Sequence, residues 1–154
     1  MTTLSSDLWY NFIRAHRCLI REIEHRLAEE KLPPYAWYDA LWGIESGKEG
    51  ARRMHELADV LAIERYNLTR LVDRLEKEGF VVREKSCEDG RGAIARITDT
   101  GRALRKRMWK VYKEAVEELF LVEFDEERRR IFAAALENAS RNTRNPRKAA
   151  QPKS

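Results

Sequence analysis

The chain has 154 residues, 36% charged and 43% hydrophobic, with a net charge of +4 and a pI of about 9.2. That length buries a core without disulfide or metal staples, and no run approaches the ~20 apolar residues of a membrane-spanning helix. Residues 1–7 lack a basic segment leading into an apolar core, and two cysteines, Cys18 and Cys87, are too few for a disulfide framework, so the chain is expected in a reducing cytoplasm.

In chain order, Leu8, Phe12, Ala15, Leu19, Ile23 and Leu27 recur at three- and four-residue steps and predict a helix over residues 7–30. Ser6 or Asp7 is placed to cap its start. Pro33 and Pro34 end it and suit the first turn of a second helix, 34–45, which is crowded with Tyr35, Trp37, Tyr38 and Trp42. Residues 46–50 read as a loop. A short helix, 54–61, is followed by a break at Ala62 and Ile63. A further helix, 64–78, has Leu68, Leu71, Val72 and Leu75 on one side and Gly79 as its stop.

The pattern then turns β-rich over 80–85. The cluster Glu88-Asp89-Gly90-Arg91-Gly92 is a hairpin turn, and Ile94, Arg96 and Ile97 form the return strand. Thr98 is the natural N-cap of a long helix, 99–120, and Asp125 opens a last helix carrying Ile131, Phe132, Ala135 and Leu136. From Arg141 the chain is basic, small and proline-containing, so residues 141–154 are expected to be a disordered tail.

Short helix, turn, helix and hairpin make a helix-turn-helix with a wing, in which the second helix enters the major groove. That helix offers Arg65, Tyr66, Asn67, Thr69 and Arg70 at its N-terminal end, the residue types that read base edges and grip phosphates. Lys85 and Arg91 extend the set into the wing. Between Arg83 and Lys110 nine basic residues face only four acids, the local excess that a phosphate-facing surface requires.

The runs Glu56-Leu57-Ala58-Asp59-Val60-Leu61 and Asn67-Leu68-Thr69-Arg70-Leu71-Val72-Asp73-Arg74-Leu75-Glu76-Lys77-Glu78-Gly79-Phe80-Val81 resemble the MarR family of bacterial transcription regulators. So do the wing Glu88-Asp89-Gly90-Arg91 and the stretch Ile97-Thr98-Asp99-Thr100-Gly101-Arg102. The resemblance is specific from about Leu57 to Leu104. It implies a mainly α fold with a small β-hairpin wing, in which a winged helix-turn-helix (34–98) lies between dimerisation helices (7–33 and 99–140) within one domain, 1–140. It further implies a homodimer that binds a near-palindromic operator on double-stranded DNA, usually as a repressor, with Arg91 inserted into the minor groove. By the same resemblance Asp73 supports the wing by pairing with Arg91 or Arg96, beside Asp89. The sequence departs from the family at Glu64, Tyr66 and Gly92, where a small polar residue, a small polar residue and an arginine are common.

The dimer interface is expected from Leu8, Phe12, Val116, Leu119, Phe120, Ile131, Phe132 and Leu136. The aromatics fit a packed core, yet the family binds phenolic acids where these helices meet the DNA-binding part. Trp9, Arg14, His16, Trp37, Tyr38, Trp42 and Trp109 are therefore the expected pocket for a small aromatic acid effector, with an arginine to hold its carboxylate. Cys18 reads as a small hydrophobe. His16, His25 and His55 lack ligand spacing with the cysteines, so no metal or other cofactor is expected. No nucleophile elbow or phosphate-binding glycine loop suggests an enzyme. The competing class is a helix-rich adaptor that binds protein and not specific DNA.

Overall fold

The computed structural model describes residues 4–85 and 92–146. Residues 1–3, 86–91, among them Cys87, Asp89 and Arg91, and 147–154 lie outside the described residues. The order is α1 (Leu4–Glu29), α2 (Tyr35–Glu45), a 3-10 turn (Lys48–Gly50), β1 (Ala51–Arg53), α3 (Met54–Leu61), α4 (Arg65–Lys77), β2 (Val81–Lys85), β3 (Ala93–Ile97), α5 (Asp99–Leu119), a second 3-10 turn (Leu121–Glu123) and α6 (Glu126–Asn142). The fold is mainly helical with one small antiparallel sheet, in the order β1-β3-β2.

Several boundaries differ from expectation for physical reasons. The first helix starts at Leu4, so Asp7 stands in its first turn, where a carboxylate favours the helix dipole, and is not its cap. Pro34 is the N-cap of α2, held extended at ψ 153°, so it lies outside the helix and not in its first turn. Arg141 belongs to the last turn of α6, where it pairs with Glu137 one turn back, and is not part of a tail.

The expected loop 46–50 leads into β1, which pairs with β3 through Ala51↔Arg96, Arg52↔Ala95 and Arg53↔Ile94. The wing strands pair from Val81↔Ile97 to Lys85↔Ala93.

Two compact units divide the chain, residues 1–115 and 116–154. In the first, α2 is central and packs against α1, α3, α4, β1 and β3. Leu27, Leu41, Ile44, Leu57, Leu68, Val72, Leu75, Val81 and Met108 are its fully enclosed side chains. Each such side chain contributes roughly 1.5–3 kcal/mol over an exposed one. Leu57 of α3 and Leu68, Val72 and Leu75 of α4 belong to this set. The second unit is held by a phenylalanine cluster: Phe124 lies 5.2 Å from both Phe120, edge to face, and Phe132, stacked. Asp125 caps α6 by accepting from Arg128 N at 2.8 Å, and Arg129 ties back to the carbonyls of Phe124 and Leu121 at 3.1 and 2.9 Å.

Candidate nucleic-acid interface

α3 and α4 meet across a three-residue turn. Ala62 makes it by taking the left-handed conformation (φ 53°, ψ 45°), with its N–H on Asp59 O at 3.3 Å and that of Ile63 on Ala58 O at 3.2 Å. Glu64 then stands at the N-cap of α4, and its carboxylate makes no capping hydrogen bond. Leu68, Val72 and Leu75 bury one side of α4. Arg65, Tyr66, Asn67, Thr69 and Arg70 are all exposed. At 100° per residue, Tyr66 and Arg70 point away from the buried side and Thr69 and Asn67 flank them, whereas Arg65 lies nearer the buried side and is exposed at the helix start. Thr69 donates its hydroxyl hydrogen to Arg65 O at 2.9 Å, so its methyl and the oxygen's two lone pairs remain for a ligand.

The end of α4 is joined to the wing. Gly79 takes φ 79°, and the N–H groups of Gly79 and Phe80 close on Glu76 O and Leu75 O at 3.0 and 2.9 Å, which turns the chain directly into β2. Arg83 on β2 then reaches back. Its guanidinium donates to Glu76 Oε1 at 3.0 Å and to Asp73, while its backbone N–H donates to Glu76 Oε2 at 2.9 Å. These bonds hold the Glu76 carboxyl below its usual range. Asp73 thus supports the wing through Arg83. Arg96 instead pairs across the strands with Glu84 at 3.1 Å and donates to Glu49 O at 3.1 Å. The sequence reading missed Arg83 as the joint; its signal was a basic residue in the middle of β2, ten positions after Asp73. Lys85 is exposed at the end of β2, and Asp89 and Arg91 lie outside the described residues.

The return from wing to α5 explains the Thr98-x-x-Gly101 pattern. Thr98 Oγ1 accepts from Gly101 N at 3.1 Å and lies 2.8 Å from Gly79 O, and Thr98 N donates to Phe80 O at 3.1 Å. A β-carbon at Gly101 would overlap the Phe80 carbonyl.

The seven expected effector residues do not converge. Tyr38 and Trp109 stack at 5.9 Å between α2 and α5, but their neighbours are Tyr35 and Tyr112, which the sequence reading missed. Trp37 instead packs edge-on against Phe80 at the head of β2, and Trp42 is exposed. Trp9 and Arg14 line a depression of about 340 Å³ whose walls all come from α1, and His16 is exposed on the same helix.

Beside the ring cluster, burial holds the Asp39 carboxyl above its usual range, and burial with the Tyr112 hydroxyl raises Tyr35. Glu45 at the end of α2 takes ion pairs from Arg105 and Arg102 of α5, the latter at 3.5 Å.

Residues 33–92 match the MarR family. A relative from Bacillus subtilis (strain 168), the HTH-type transcriptional regulator YkoM, is 29% identical over 63 residues, 41% of this chain and 41% of its own length. The match thus spans about two-fifths of that relative.

The structure is similar to Sco3205, a MarR family transcriptional regulator from Streptomyces coelicolor, in complex with DNA: 26% identity, TM-score 0.83, covering 99% of this chain and 94% of that one. It is also similar to the transcriptional repressor CouR bound to a 23-mer DNA duplex: 27% identity, TM-score 0.75, covering 89% and 94%. CouR from Rhodococcus jostii RHA1, bound to p-coumaroyl-CoA, shares the fold at 21% identity and TM-score 0.79, covering 91% and 96%.

Proposed function

We propose, from the match of residues 33–92 to the MarR family, that the chain is a ligand-responsive repressor of that family. It binds a near-palindromic operator as a homodimer. The observation that carries the reading is the outer face of α4, where Tyr66, Thr69 and Arg70 are exposed at the reading end of a helix buried on its opposite side and fixed to the wing by Arg83. In a dimer two such helices would meet one DNA turn, ~34–36 Å, apart. Arg65, Asn67, Lys85 and Arg91 complete the contacts in this reading, with Arg91 in the minor groove.

Each unit leaves apolar residues for a second copy to cover. Leu8 and Ile131 are 65% and 60% exposed, Phe12 and Leu119 are also open, and no residue of α6 is buried. Val116, Phe120, Phe132 and Leu136 would complete that interface.

The proposed effector is a small aromatic acid acting where the rings of α2 and α5 meet. Support comes from the stacked Tyr38 and Trp109 beside Arg105, and from a fold relative bound to p-coumaroyl-CoA. An effector shifts the DNA-binding form only by its differential affinity for the two forms.

The test is fluorescence anisotropy with DNA from upstream of the chain's own gene, at physiological salt and with excess unrelated DNA. Binding that survives competition, and is released by an aromatic acid, is the expected result. Absence of any preferred site in randomised DNA, from a stable dimer, would replace this reading with the protein-binding adaptor.

A further inference from the structure

Resting on the operator reading above, we infer that Tyr66 is a specificity-determining residue, which holds Arg70 edge-on to read a guanine in the major groove. Tyr66 is 70% exposed, more than any other large hydrophobic side chain among the described residues. Its contact is Arg70, one turn along: the guanidinium carbon stands 5.5 Å from the ring centroid, and Nη1 lies 3.5 Å from the tyrosine hydroxyl.

The arginines of the wing strands are committed elsewhere, Arg83 to Asp73 and Glu76, Arg96 to Glu84. Among the described residues no carboxylate pairs with Arg70. A guanidinium carries its five donors around the edge of a plane and none on its face. One Nη1 hydrogen goes to the tyrosine hydroxyl, and with the guanidinium carbon over the ring the remaining donors of the edge are free.

That edge matches the paired O6 and N7 acceptors of guanine, whereas adenine presents an amino donor beside N7. An unsupported arginine spreads over many rotamers and loses them on binding; an arginine stacked on a ring loses fewer. Tyr66 thus acts through Arg70, as a positioning residue whose effect appears in base preference.

The experiment selects a preferred site from randomised DNA with the wild-type chain, then measures affinity for that site, for versions with each half-site guanine changed to adenine, and for random duplex. Wild type, Tyr66→Phe, Tyr66→Leu, Tyr66→Ala and Arg70→Ala are compared after their thermal unfolding curves are shown to coincide. One guanine per half-site should cost the wild type roughly ten-fold or more when replaced, and Arg70→Ala should erase that preference. Tyr66→Leu and Tyr66→Ala should cut the guanine-over-adenine preference about two- to five-fold and weaken binding to the selected site more than to random duplex, while Tyr66→Phe keeps most of the preference.

A guanine preference that depends on Arg70 but not on the ring overturns the inference and leaves the operator reading intact. So does an equal loss on selected and random DNA. A wild type that selects no site overturns both.

Discussion

Gly101 and Thr98 are short side chains with large structural consequences. The Gly101 α-hydrogen faces the Phe80 carbonyl, so Gly101→Ala must push α5 away from the base of the wing. The expected cost is about 1–3 kcal/mol, read from urea unfolding. An unchanged midpoint would mean the close approach is relieved at no cost. Thr98→Ala should remove about 1 kcal/mol by stripping the cap from Gly101 N.

Two acids shift in opposite directions. Glu76 is held below its ordinary value by Arg83, so its contribution is present above the unfolded carboxylate range and is lost as pH falls through the folded value. Glu76→Gln should therefore flatten the acid side of a stability–pH curve, weakly, because water screens this partly exposed pair. Asp39 is raised by burial, so its protonated form is favoured in the fold and stability declines as pH climbs through that range. Asp39→Asn, which removes the buried charge, is expected to raise the melting temperature at neutral pH. A lower one would show that the carboxylate is required there.

At the scale of elements, the wing is only as well placed as its stem. Arg83 joins β2 to α4 through Asp73 and Glu76 on the side that would face DNA. Removing it should alter stability by less than about 1 kcal/mol, since the pairs are near the surface. Operator affinity should nonetheless fall roughly ten-fold, because an unfixed wing must be ordered on binding. Equal affinity of wild type and Arg83→Ala would assign wing placement to Arg96 and Glu84 instead.

The two helices of the turn, the hairpin, the Thr98 cap and the Asp125 cap were legible in sequence because each is a local event with its own signature: an apolar period, a turn cluster, a hydroxyl or carboxylate before a helix. β1 was not. Ala51-Arg52-Arg53 has no alternating apolar pattern, and it becomes a strand only because β3 offers it an edge. The pairing of Asp73 with Arg83 over Arg96, and the turning of Trp37 to Phe80 while Tyr38 faces Trp109, were equally invisible. Which of two nearby arginines or tryptophans meets a partner depends on strand register and helix rotation, which composition does not encode.

For the whole molecule, the unanswered surface is apolar. α6 has no buried residue, and its Ile131 is 60% exposed. In unit 1, Leu8, Trp9 and Tyr10 at the start of α1 are exposed by 65%, 66% and 62%. Single exposed apolar residues are ordinary, but the run Leu8-Trp9-Tyr10 on α1, and Leu119, Val122 and Ile131 within unit 2, are apolar faces that a partner would cover.

If a second copy covers it, Ile131→Glu acts only through the partner, since the side chain is already in water within one chain. Helicity should be retained, light scattering should report a monomer, and affinity for the selected operator should drop by roughly 10²-fold. That magnitude follows because the second half-site is then no longer bound at the effective concentration that the dimer provides. Affinity for random duplex should change far less, which separates lost pairing from lost phosphate contact. A variant that remains dimeric and binds the operator normally would place the interface away from this face of α6. A variant that becomes monomeric yet binds unchanged would mean that one winged helix suffices, and the two-fold operator would no longer be needed to explain recognition.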